Sequence, residues 1–206
     1  MRTLLVGDVH GCAASLDALH HRARPDRVIL VGDIFAKGPD PLGVWSFIQR
    51  TGARAVLGNH DAKLLKVWGT PGDSSHHRAA RLLPEACRAW IEGLPLAIEE
   101  EGWLVVHAGV HPTLGLAGTS RAQLLTMRRW PDDQDLENPF WWQLWHGPTR
   151  VYYGHDAMRG LQVHEHSVGL DTGAVYGGRI SGVIRETDEV FEVDGWAEGR
   201  SALLGE

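Results

Sequence analysis

Cysteine is scarce in this chain, which holds Cys12 and Cys87 among its 206 residues. Two cysteines cannot build the disulfide framework of a small secreted scaffold, and they fit a reducing compartment. The beginning of the chain also lacks a long apolar run. The run at residues 4–6 is too short for a signal peptide and far too short to span a membrane. We therefore expect a cytoplasmic protein with no membrane partner.

An excess of positive charge is absent as well. Lys and Arg total 20 against 26 Asp and Glu, for a formal net charge of −6. This balance argues against a protein coated with basic residues that tracks nucleic acid nonspecifically. Phosphate substrates stay open, because a bound metal ion can supply positive charge locally. Twelve histidines are many for this length, and they direct attention to metal sites built from imidazole and carboxylate.

The proportions of hydrophobic residues (43%) and charged residues (22%) predict a globular chain with a full core, and the length predicts one domain over residues 1–206. In the first third, short apolar segments alternate with helical ones. We predict strands at residues 2–7, 27–32 and 53–58 and helices at 12–23, 40–50 and 60–68. Such alternation is typical of a parallel sheet with right-handed crossovers.

The rest of the chain is less regular. We predict helices at residues 75–83, 84–93 and 119–128, a buried strand at 103–107, and a Trp-rich segment at 129–148. Short strands separated by glycines then run through residues 151–193, a pattern typical of a meander. No repeat or linker interrupts the chain, so one domain with two sheets is the simplest interpretation.

Glycine and metal-binding residue types follow the predicted strands where each strand ends. The motifs GDVHG (7–11), GD (32–33) and GNHD (58–61) follow the first three strands, and two later strands end in histidine. Ligand sites gather outside the carboxyl ends of parallel strands, so we expect these segments to meet in one crevice. One GD or GNH alone is a common turn, but five strand ends of this kind indicate a site. The expected metal ligands are Asp8, His10, Asp33, Asn59, His107 and His155.

This ligand set has a definite chemistry. Six oxygen and nitrogen ligands are too many for one closed ion and suit two. Carboxylate, imidazole and amide oxygen favour Mn²⁺, Fe, Co²⁺ or Zn²⁺ over an ion that prefers thiolate. Two ions that share a carboxylate form the usual arrangement for displacement at phosphorus.

Five motifs in order, GDVHG, GDIFAKGPD, GNHD, VVHAG and YGHDA, resemble the calcineurin-like metallophosphoesterase superfamily and in particular its phosphoprotein-phosphatase branch. The resemblance spans residues 3–193 and implies an α/β fold, a four-layer sandwich of two mixed β-sheets flanked by helices. It implies two divalent metal ions, with Mn²⁺ favoured and Co²⁺, Fe, Zn²⁺ or Mg²⁺ as alternatives. It also implies that Asp33 bridges the ions and that His60 protonates the leaving group. The implied ligands are Asp8, His10 and Asp33 for the first ion, and Asp33, Asn59, His107 and His155 for the second.

The residues after Asp33 indicate which branch of the superfamily the chain resembles. Protein phosphatases of this superfamily carry Asp and Arg three and four positions after the bridging aspartate, where this chain has Ala36 and Lys37. The stretch AKGP resembles symmetrical diadenosine tetraphosphatases. YGHDAMRGLQ and LDTGAVYGGRISG resemble their compact relatives, which include enzymes acting on dinucleoside polyphosphates, capped RNA 5′ ends and polyphosphate. In protein phosphatases that Asp orients the histidine acid; Ala36 cannot do so, which leaves the control of His60 open.

We therefore expect a hydrolase of dinucleoside polyphosphates that converts diadenosine tetraphosphate to ADP through attack of a metal-bridging hydroxide. A phosphoprotein phosphatase or polyphosphatase with the same site is the alternative. A metal-bearing module without turnover is disfavoured, because every implied ligand and His60 are present. Lys37 and Arg128 are expected to bind phosphates of the substrate.

Several other residues receive a structural interpretation. The tryptophans at positions 130, 141, 142 and 145 are expected to pack a helical lid, with stacking on a nucleobase as the alternative. Histidines outside the motifs, His76 and His77 among them, are interpreted as surface or loop residues. Asp171 is expected to hold the second sheet near the site, and the loop at 176–178 is a candidate for lining the pocket.

Overall fold

Residues 1–199 are described by a computed structural model, and their strands form two five-stranded sheets. The first sheet consists of β1 (Thr3–Val6), β2 (Arg27–Leu30), β3 (Arg54–Ala55), β9 (Arg179–Ile184) and β10 (Glu189–Asp194). Its spatial order is β10-β9-β1-β2-β3. β1, β2 and β3 run parallel, while β9 is antiparallel to both β1 and β10.

The second sheet has a parallel centre and antiparallel edges. It consists of β4 (Ala97–Glu100), β5 (Trp103–Val106), β6 (Arg150–Tyr153), β7 (Gln162–Val163) and β8 (Ser167–Gly169). The order is β4-β5-β6-β8-β7. β5, β6 and β8 run parallel, and β4 and β7 pair antiparallel at the two edges.

Seven α-helices connect and cover these strands in the described part of the chain. The second of them is capped at its start by Asp40, whose side chain accepts a hydrogen bond from the Gly43 N–H at 2.7 Å, and at its end by Gly52 with φ 66°. No helix within residues 1–199 is both long and apolar enough to cross a membrane. The helices are α1 (Ala13–Ala23), α2 (Pro41–Thr51), α3 (Asn59–Val67), α4 (Ser75–Leu82), α5 (Glu85–Glu92), α6 (Arg121–Thr126) and α7 (Trp141–Leu144).

The alternation of side chains along the strands places the core in three layers. Leu4 and Val6 of β1 pack against α1 and α2 on the outer face of the first sheet. Leu5, between them in the chain, points the other way and packs with Val105 and Tyr152 of the second sheet. A third apolar layer lies between the second sheet and α6 and α7. Helices therefore flank two stacked mixed sheets, which confirms the α/β four-layer sandwich.

The meander expected in the last third is wrong. β6 and β8 are parallel neighbours in the second sheet, whereas β9 and β10 form a hairpin in the first sheet. The reason is burial: five of the six residues of β9 are buried, and the strand gains cover on both faces only by pairing with β1 at the centre of the first sheet. Strand β4 escaped prediction, because AIEE has no apolar alternation beyond Ile98.

Two further expectations concern boundaries. The predicted helix at 119–128 is shorter in the structure, where α6 covers Arg121–Thr126 and Ser120 caps it together with Gln123. The Trp-rich segment is mostly irregular, apart from the single turn of α7. One domain over residues 1–206 stays a prediction, and residues 200–206 lie outside the described part of the chain.

Candidate functional site

The carboxyl ends of β1, β2, β3, β5 and β6 meet at one edge of the sandwich, and the predicted metal ligands follow them there. A cavity of about 780 Å³ opens at this edge. His107 is fully buried against Asn59, with Nε2 2.8 Å from Oδ1. The structure thus brings together all six side chains predicted as ligands. The other five line the cavity: Asp8, His10, Asp33, Asn59 and His155.

Asp33 lies at the centre of this cluster, and its two carboxylate oxygens face different imidazoles. Oδ2 is 3.6 Å from Nε2 of His10 and 4.0 Å from Nε2 of His60. Oδ1 is 3.5 Å from Nε2 of His107. Asp33 therefore belongs both to a group with His10 and His60 and to a group with His107 and His155, each with ligand atoms within 4.8 Å of one another. A carboxylate shared by two ions needs this position.

Two imidazoles are oriented by backbone carbonyl groups. Nδ1 of His10 lies 3.0 Å from the carbonyl oxygen of Ala36, and Nδ1 of His107 lies 2.9 Å from that of Val31. A carbonyl oxygen only accepts hydrogen bonds, so each Nδ1 carries the proton and donates it. The Nε2 lone pairs are then directed towards Asp33. This is the arrangement that fixes a histidine as a metal ligand.

Asn59 links the second group of donors. Its Oδ1 lies 2.8 Å from Nε2 of His107 and 3.0 Å from Nδ1 of His155. Nε2 of His155 donates to the carbonyl oxygen of Thr126 at 3.1 Å, so its Nδ1 has a free lone pair. Lone pairs that converge without a proton between them repel, and a cation placed among them relieves the repulsion. The donor set therefore fits a divalent metal ion.

Burial and mutual repulsion shift the pKa values of these groups in the directions that metal binding uses. Burial lowers the pKa of His155 to about 2 and holds the pKa of His10 below its usual range, so both imidazoles are neutral at neutral pH. Burial, followed by the carboxylate of Asp171, raises the pKa of Asp8 well above its usual range. Burial also raises the pKa of Asp33 to about 7. Crowded buried carboxylates are unfavourable alone, and a divalent cation offsets that cost.

The loops that carry the ligands have a strained backbone. His10, Asp33, Lys37 and His155 have φ values of 48°, 53°, 84° and 69°. The left-handed region costs a non-glycine residue about 1–3 kcal/mol, and such residues cluster at functional sites. Glycine is required at position 58, because a Cβ there would overlap the backbone nitrogen and Oδ1 of Asp33. The surrounding fold therefore holds the donors in place before any ion binds.

Asp61, the last residue of the GNHD motif, ties two of these loops together. It is fully buried, and its carboxylate accepts hydrogen bonds from the Ile34 N–H at 3.0 Å and the Gly58 N–H at 3.2 Å. These two amides flank Asp33 and Asn59 in the chain. Asp61 thus holds the ends of β2 and β3 in register and is positioned as a support of the site, away from its cavity wall.

Both predicted phosphate-binding side chains line the cavity. Lys37 donates a hydrogen bond from Nζ to the Tyr176 hydroxyl at 2.6 Å, which holds its ammonium group at the cavity wall. Arg128 donates from Nη2 to the carbonyl oxygen of His155 at 3.0 Å and lies 3.8 Å from the Asp156 carboxylate. Each cation is anchored by a neighbour, so neither is a freely solvated surface charge.

A second pair of cations lies at the rim of the cavity. The guanidinium carbons of Arg129 and Arg159 each lie 4.2 Å from the ring centroid of Phe140. Met158 and Leu136 border the same cavity with exposed fractions of 94% and 74%. The rim, defined by these five residues, therefore combines positive charge with exposed apolar surface.

The tryptophans of residues 129–148 pack within the protein. Trp141 is buried, and its Nε1 donates to the carbonyl oxygen of Ala108 at 3.1 Å. Trp142 stacks on His164 with a centroid distance of 4.3 Å. Within residues 1–199, the cavity wall contains no tryptophan. The packing interpretation is thus correct, and the segment reaches the cavity through Arg129 and Phe140 instead.

His60 also faces the cavity, but its partner was not expected. Its Nδ1 lies 2.9 Å from Nε2 of His76. The interpretation of His76 as a surface or loop residue is wrong, because it lies in the first turn of α4 with 4% of its area exposed. Burial, followed by the charge of Lys37, lowers the pKa of His60 to about 3. Burial, followed by the charge of Lys63, lowers the pKa of His76 to about 4.

Sequence reasoning missed four residues at or beside the cavity. Arg159 stands inside the YGHDAMRGLQ stretch, and its position next to a ligand loop was the available signal. Asp171 was assigned a structural role, yet it lines the cavity, and its carboxylate contributes to the raised pKa of Asp8. Arg129 follows the predicted phosphate-binding residue Arg128 in the chain and also lines the cavity. For His76 no local pattern offers a signal, because its contact with His60 depends on the packing of α3 against α4.

A sandwich of two mixed sheets, with carboxylate, amide and imidazole donors gathered at its strand ends, is an arrangement typical of metallophosphoesterases. The chain belongs to the calcineurin-like phosphoesterase family, whose model matches residues 1–178.

Two curated proteins are similar to part of this chain. The chain is 42% identical over 127 residues to a symmetrical bis(5′-nucleosyl)-tetraphosphatase of Escherichia coli O139:H28, covering 54% of this chain and 45% of the relative. It is 37% identical over 130 residues to the enzyme of that name from Erwinia tasmaniensis, covering 57% and 47%. The matched region thus spans less than half the length of these curated relatives.

A solved structure extends the similarity to nearly the whole chain. It belongs to a protein provisionally named a diadenosine tetraphosphatase, with 35% sequence identity and a TM-score of 0.87. The match covers 95% of this chain and 94% of that one. The two chains therefore share one fold over nearly their whole lengths.

Proposed function

We propose that the protein hydrolyses dinucleoside polyphosphates and cleaves diadenosine tetraphosphate symmetrically into two molecules of ADP. Water attacks one of the two central phosphorus atoms, the bond from that atom to the oxygen joining it to the other half breaks, and this oxygen leaves with a proton. The observation that carries the proposal is the cavity, where four cationic side chains surround the predicted metal ligands. They are Lys37, Arg128, Arg129 and Arg159.

The size and lining of the cavity support a nucleotide substrate. A volume of about 780 Å³ lies within the range of small-molecule and cofactor pockets. The cations suit the several phosphates of such a chain, and the rim offers guanidinium and apolar surface to a base. The relatives named tetraphosphatases agree with this choice.

The ligand roles follow the positions of the side chains. Asp8, His10 and Asp33 would hold one divalent ion, and we expect Mn²⁺. Bound ions of this kind neutralise phosphate charge and make water nucleophilic at neutral pH. The second ion would be held by Asp33, Asn59, His107 and His155.

His60 would protonate the leaving oxygen through Nε2, the ring nitrogen that faces the cavity. Burial and the charge of Lys37 lower the pKa of this imidazole to about 3 in the protein without substrate. Phosphates bound between Lys37 and His60 act in the opposite direction, because their negative charge favours the imidazolium form. Substrate binding and proton donation are thereby coupled.

A substrate panel in the presence of Mn²⁺ tests the proposal. It compares diadenosine tetraphosphate, inorganic polyphosphate, a capped RNA 5′ end and a phosphopeptide, with the nucleotide products separated by chromatography. We expect kcat/KM for diadenosine tetraphosphate to exceed that for the phosphopeptide at least about tenfold, which is about 1.4 kcal/mol of transition-state stabilisation. ADP should be the sole nucleotide product. A better phosphopeptide substrate, or AMP and ATP as products, would refute the assignment.

A matched pair of arginine variants tests the rim. Arg159→Ala removes a guanidinium group stacked on Phe140, and Arg185→Ala removes one stacked on Trp103, outside the cavity. The first should raise KM for diadenosine tetraphosphate roughly three- to tenfold, corresponding to about 1 kcal/mol of stacking, and leave p-nitrophenyl phosphate unaffected. Arg185→Ala should change neither KM for diadenosine tetraphosphate nor the activity on p-nitrophenyl phosphate. Equal effects of both variants would remove the rim from the binding site.

A further inference from the structure

We propose that His76 is a positioning residue that fixes the orientation and the ring tautomer of His60. The proposal rests on the proposed function, in which His60 protonates the leaving oxygen. Nδ1 of His60 and Nε2 of His76 are 2.9 Å apart, the ring planes differ by 12°, and the centroids are 5.1 Å apart. The centroid separation exceeds the nitrogen–nitrogen distance by about two ring radii. The rings therefore meet edge to edge, so that the hydrogen bond runs along an in-plane lone pair.

His60 differs in this respect from the histidines predicted as metal ligands. Each of those donates from one ring nitrogen to a backbone carbonyl oxygen, as Nδ1 of His10 does to Ala36. The ring of His60 instead has the side chain of His76 as its hydrogen-bond partner within residues 1–199. Ala36, whose carbonyl oxygen already serves His10, has no polar side-chain atom to offer. An imidazole thus holds the place next to His60 where an orienting group is needed.

His76 is itself held firmly. It is the second residue of α4, a helix that packs against α3, the helix that carries His60. Its neighbour His77 faces elsewhere, with Nδ1 2.7 Å from Ser74 Oγ and Nε2 3.3 Å from Thr70 Oγ1. Two adjacent histidines on one helix therefore offer a test residue and a control.

The contact has a directional consequence. When Nε2 of His76 accepts, Nδ1 of His60 carries a proton, and Nε2 of His60 is aimed at the cavity beside Asp33. We assign this direction to the contact: Nδ1 of His60 keeps its proton, and in the imidazolium form the second proton is on Nε2, from which it can pass to the leaving oxygen. Because the acceptor is a neutral imidazole, it sets this direction without adding negative charge to a site that already contains several carboxylates.

Three variants of position 76 separate the hydrogen bond from mere packing. His76→Gln keeps an acceptor close to the position of Nε2. His76→Asn is polar but too short to reach His60, and His76→Leu fills the space without an acceptor. His77→Gln is the control. Thermal unfolding of each variant shows that it is folded, and the glutamine and asparagine pair carries the test if leucine is not tolerated.

Phenyl phosphate and p-nitrophenyl phosphate are matched substrates, because they have similar size but phenol leaves poorly without a proton. His76→Asn and His76→Leu should lower kcat for phenyl phosphate about tenfold or more, part of the 10²–10⁴-fold typical of general acid catalysis. KM and the kcat for p-nitrophenyl phosphate should stay within about twofold. His76→Gln should restore most of the loss, and His77→Gln should behave as wild type. Equal losses on both substrates, or no rescue by glutamine, would overturn the proposal.

Coupling to His60 is measured by a double-mutant cycle. In a His60→Ala background, His76→Asn should cause no further loss on phenyl phosphate, since it acts through the missing ring. An additional tenfold loss there would contradict the assignment.

A tautomer measurement separates this proposal from the proposed function. ¹⁵N NMR of the imidazoles, with Zn²⁺ as a diamagnetic ion, should show His60 protonated on Nδ1 in the wild type and His76→Gln. His76→Asn should shift His60 towards the Nε2-protonated form. If His60→Ala slows phenyl phosphate and p-nitrophenyl phosphate equally, His60 is not the general acid. In that case, a tautomer shift in His76→Asn still supports His76 as the positioning residue. If the tautomer of His60 is unchanged in His76→Asn, the proposal that His76 positions His60 is overturned.

Discussion

Asp33→Asn is expected to change metal binding and the stability of the metal-free protein in opposite directions. Asparagine keeps the shape of the side chain and the oxygen that accepts the His60 N–H at 2.8 Å. It removes the negative charge that lies between His10 and His107. The substitution therefore isolates the charge of the carboxylate from its packing.

The two magnitudes follow from the position of Asp33. Two unit charges 4 Å apart interact by about 4 kcal/mol at an effective dielectric constant of 20, which is roughly a thousandfold in metal affinity. In the metal-free protein, burial raises the pKa of Asp33 to about 7 from the usual 3.8. The folded state then binds a proton that the unfolded state has lost, so this group destabilises the fold progressively as pH rises between 3.8 and 7. The total is on the order of 4 kcal/mol, at 1.36 kcal/mol per pH unit.

Metal analysis after dialysis and thermal unfolding at pH 5 and pH 8 measure both effects. Wild type should retain two Mn²⁺ per chain and lose stability at pH 8 when a chelator is added. Asp33→Asn should retain at most one ion, lose most of its turnover, and unfold at a higher temperature than chelated wild type at pH 8, with a much smaller difference at pH 5. Asp17→Asn, at an exposed carboxylate that pairs with Arg50, is the control. Two retained ions with normal turnover would refute the bridging role of Asp33.

Three other predictions follow from the site. Asp61→Ala leaves the buried Ile34 and Gly58 amides without their acceptor and should lower the free energy of unfolding by about 2–4 kcal/mol; a urea midpoint equal to that of wild type would contradict this. Lys37→Gln should raise KM for diadenosine tetraphosphate and flatten its salt dependence, measured between 50 and 300 mM KCl at roughly constant kcat; an unchanged salt slope would remove Lys37 from phosphate binding. His60→Ala should slow phenyl phosphate far more than p-nitrophenyl phosphate with metal content unchanged, and a loss of metal would instead make His60 a ligand.

Local patterns were enough to place the ligand loops. The apolar runs before Gly7, Gly32 and Gly58 are short and bounded by glycine, which is typical of buried parallel strands, and the chain turns where each run ends. Because parallel strands share one carboxyl edge, sequence order alone brings Asp8, Asp33 and their neighbours together. The cap of α2 was equally local, since Asp40-Pro41 and Gly52 act within one helical turn.

Contacts between distant segments escaped prediction for a common physical reason. The pairing of β9 with β1 joins residues about 180 positions apart and depends on which strand face finds cover, which glycine-rich turns do not specify. Phe140 likewise lines the cavity, next to Trp141, which is buried against the second sheet, and this placement depends on the packing of the whole segment.

The amino-acid sequence by itself determined which chemical groups reach the catalytic edge: carboxylates, imidazoles and an amide, each one or a few residues beyond a strand. Only the tertiary structure decided how those groups are oriented. Backbone carbonyl groups of neighbouring loops set the tautomers of His10 and His107, and the packing of α4 on α3 supplies His76 to His60. Strand ends follow from local periodicity. A hydrogen bond between side chains of two helices depends instead on how the helix faces pack, and this packing is fixed only when the whole core forms.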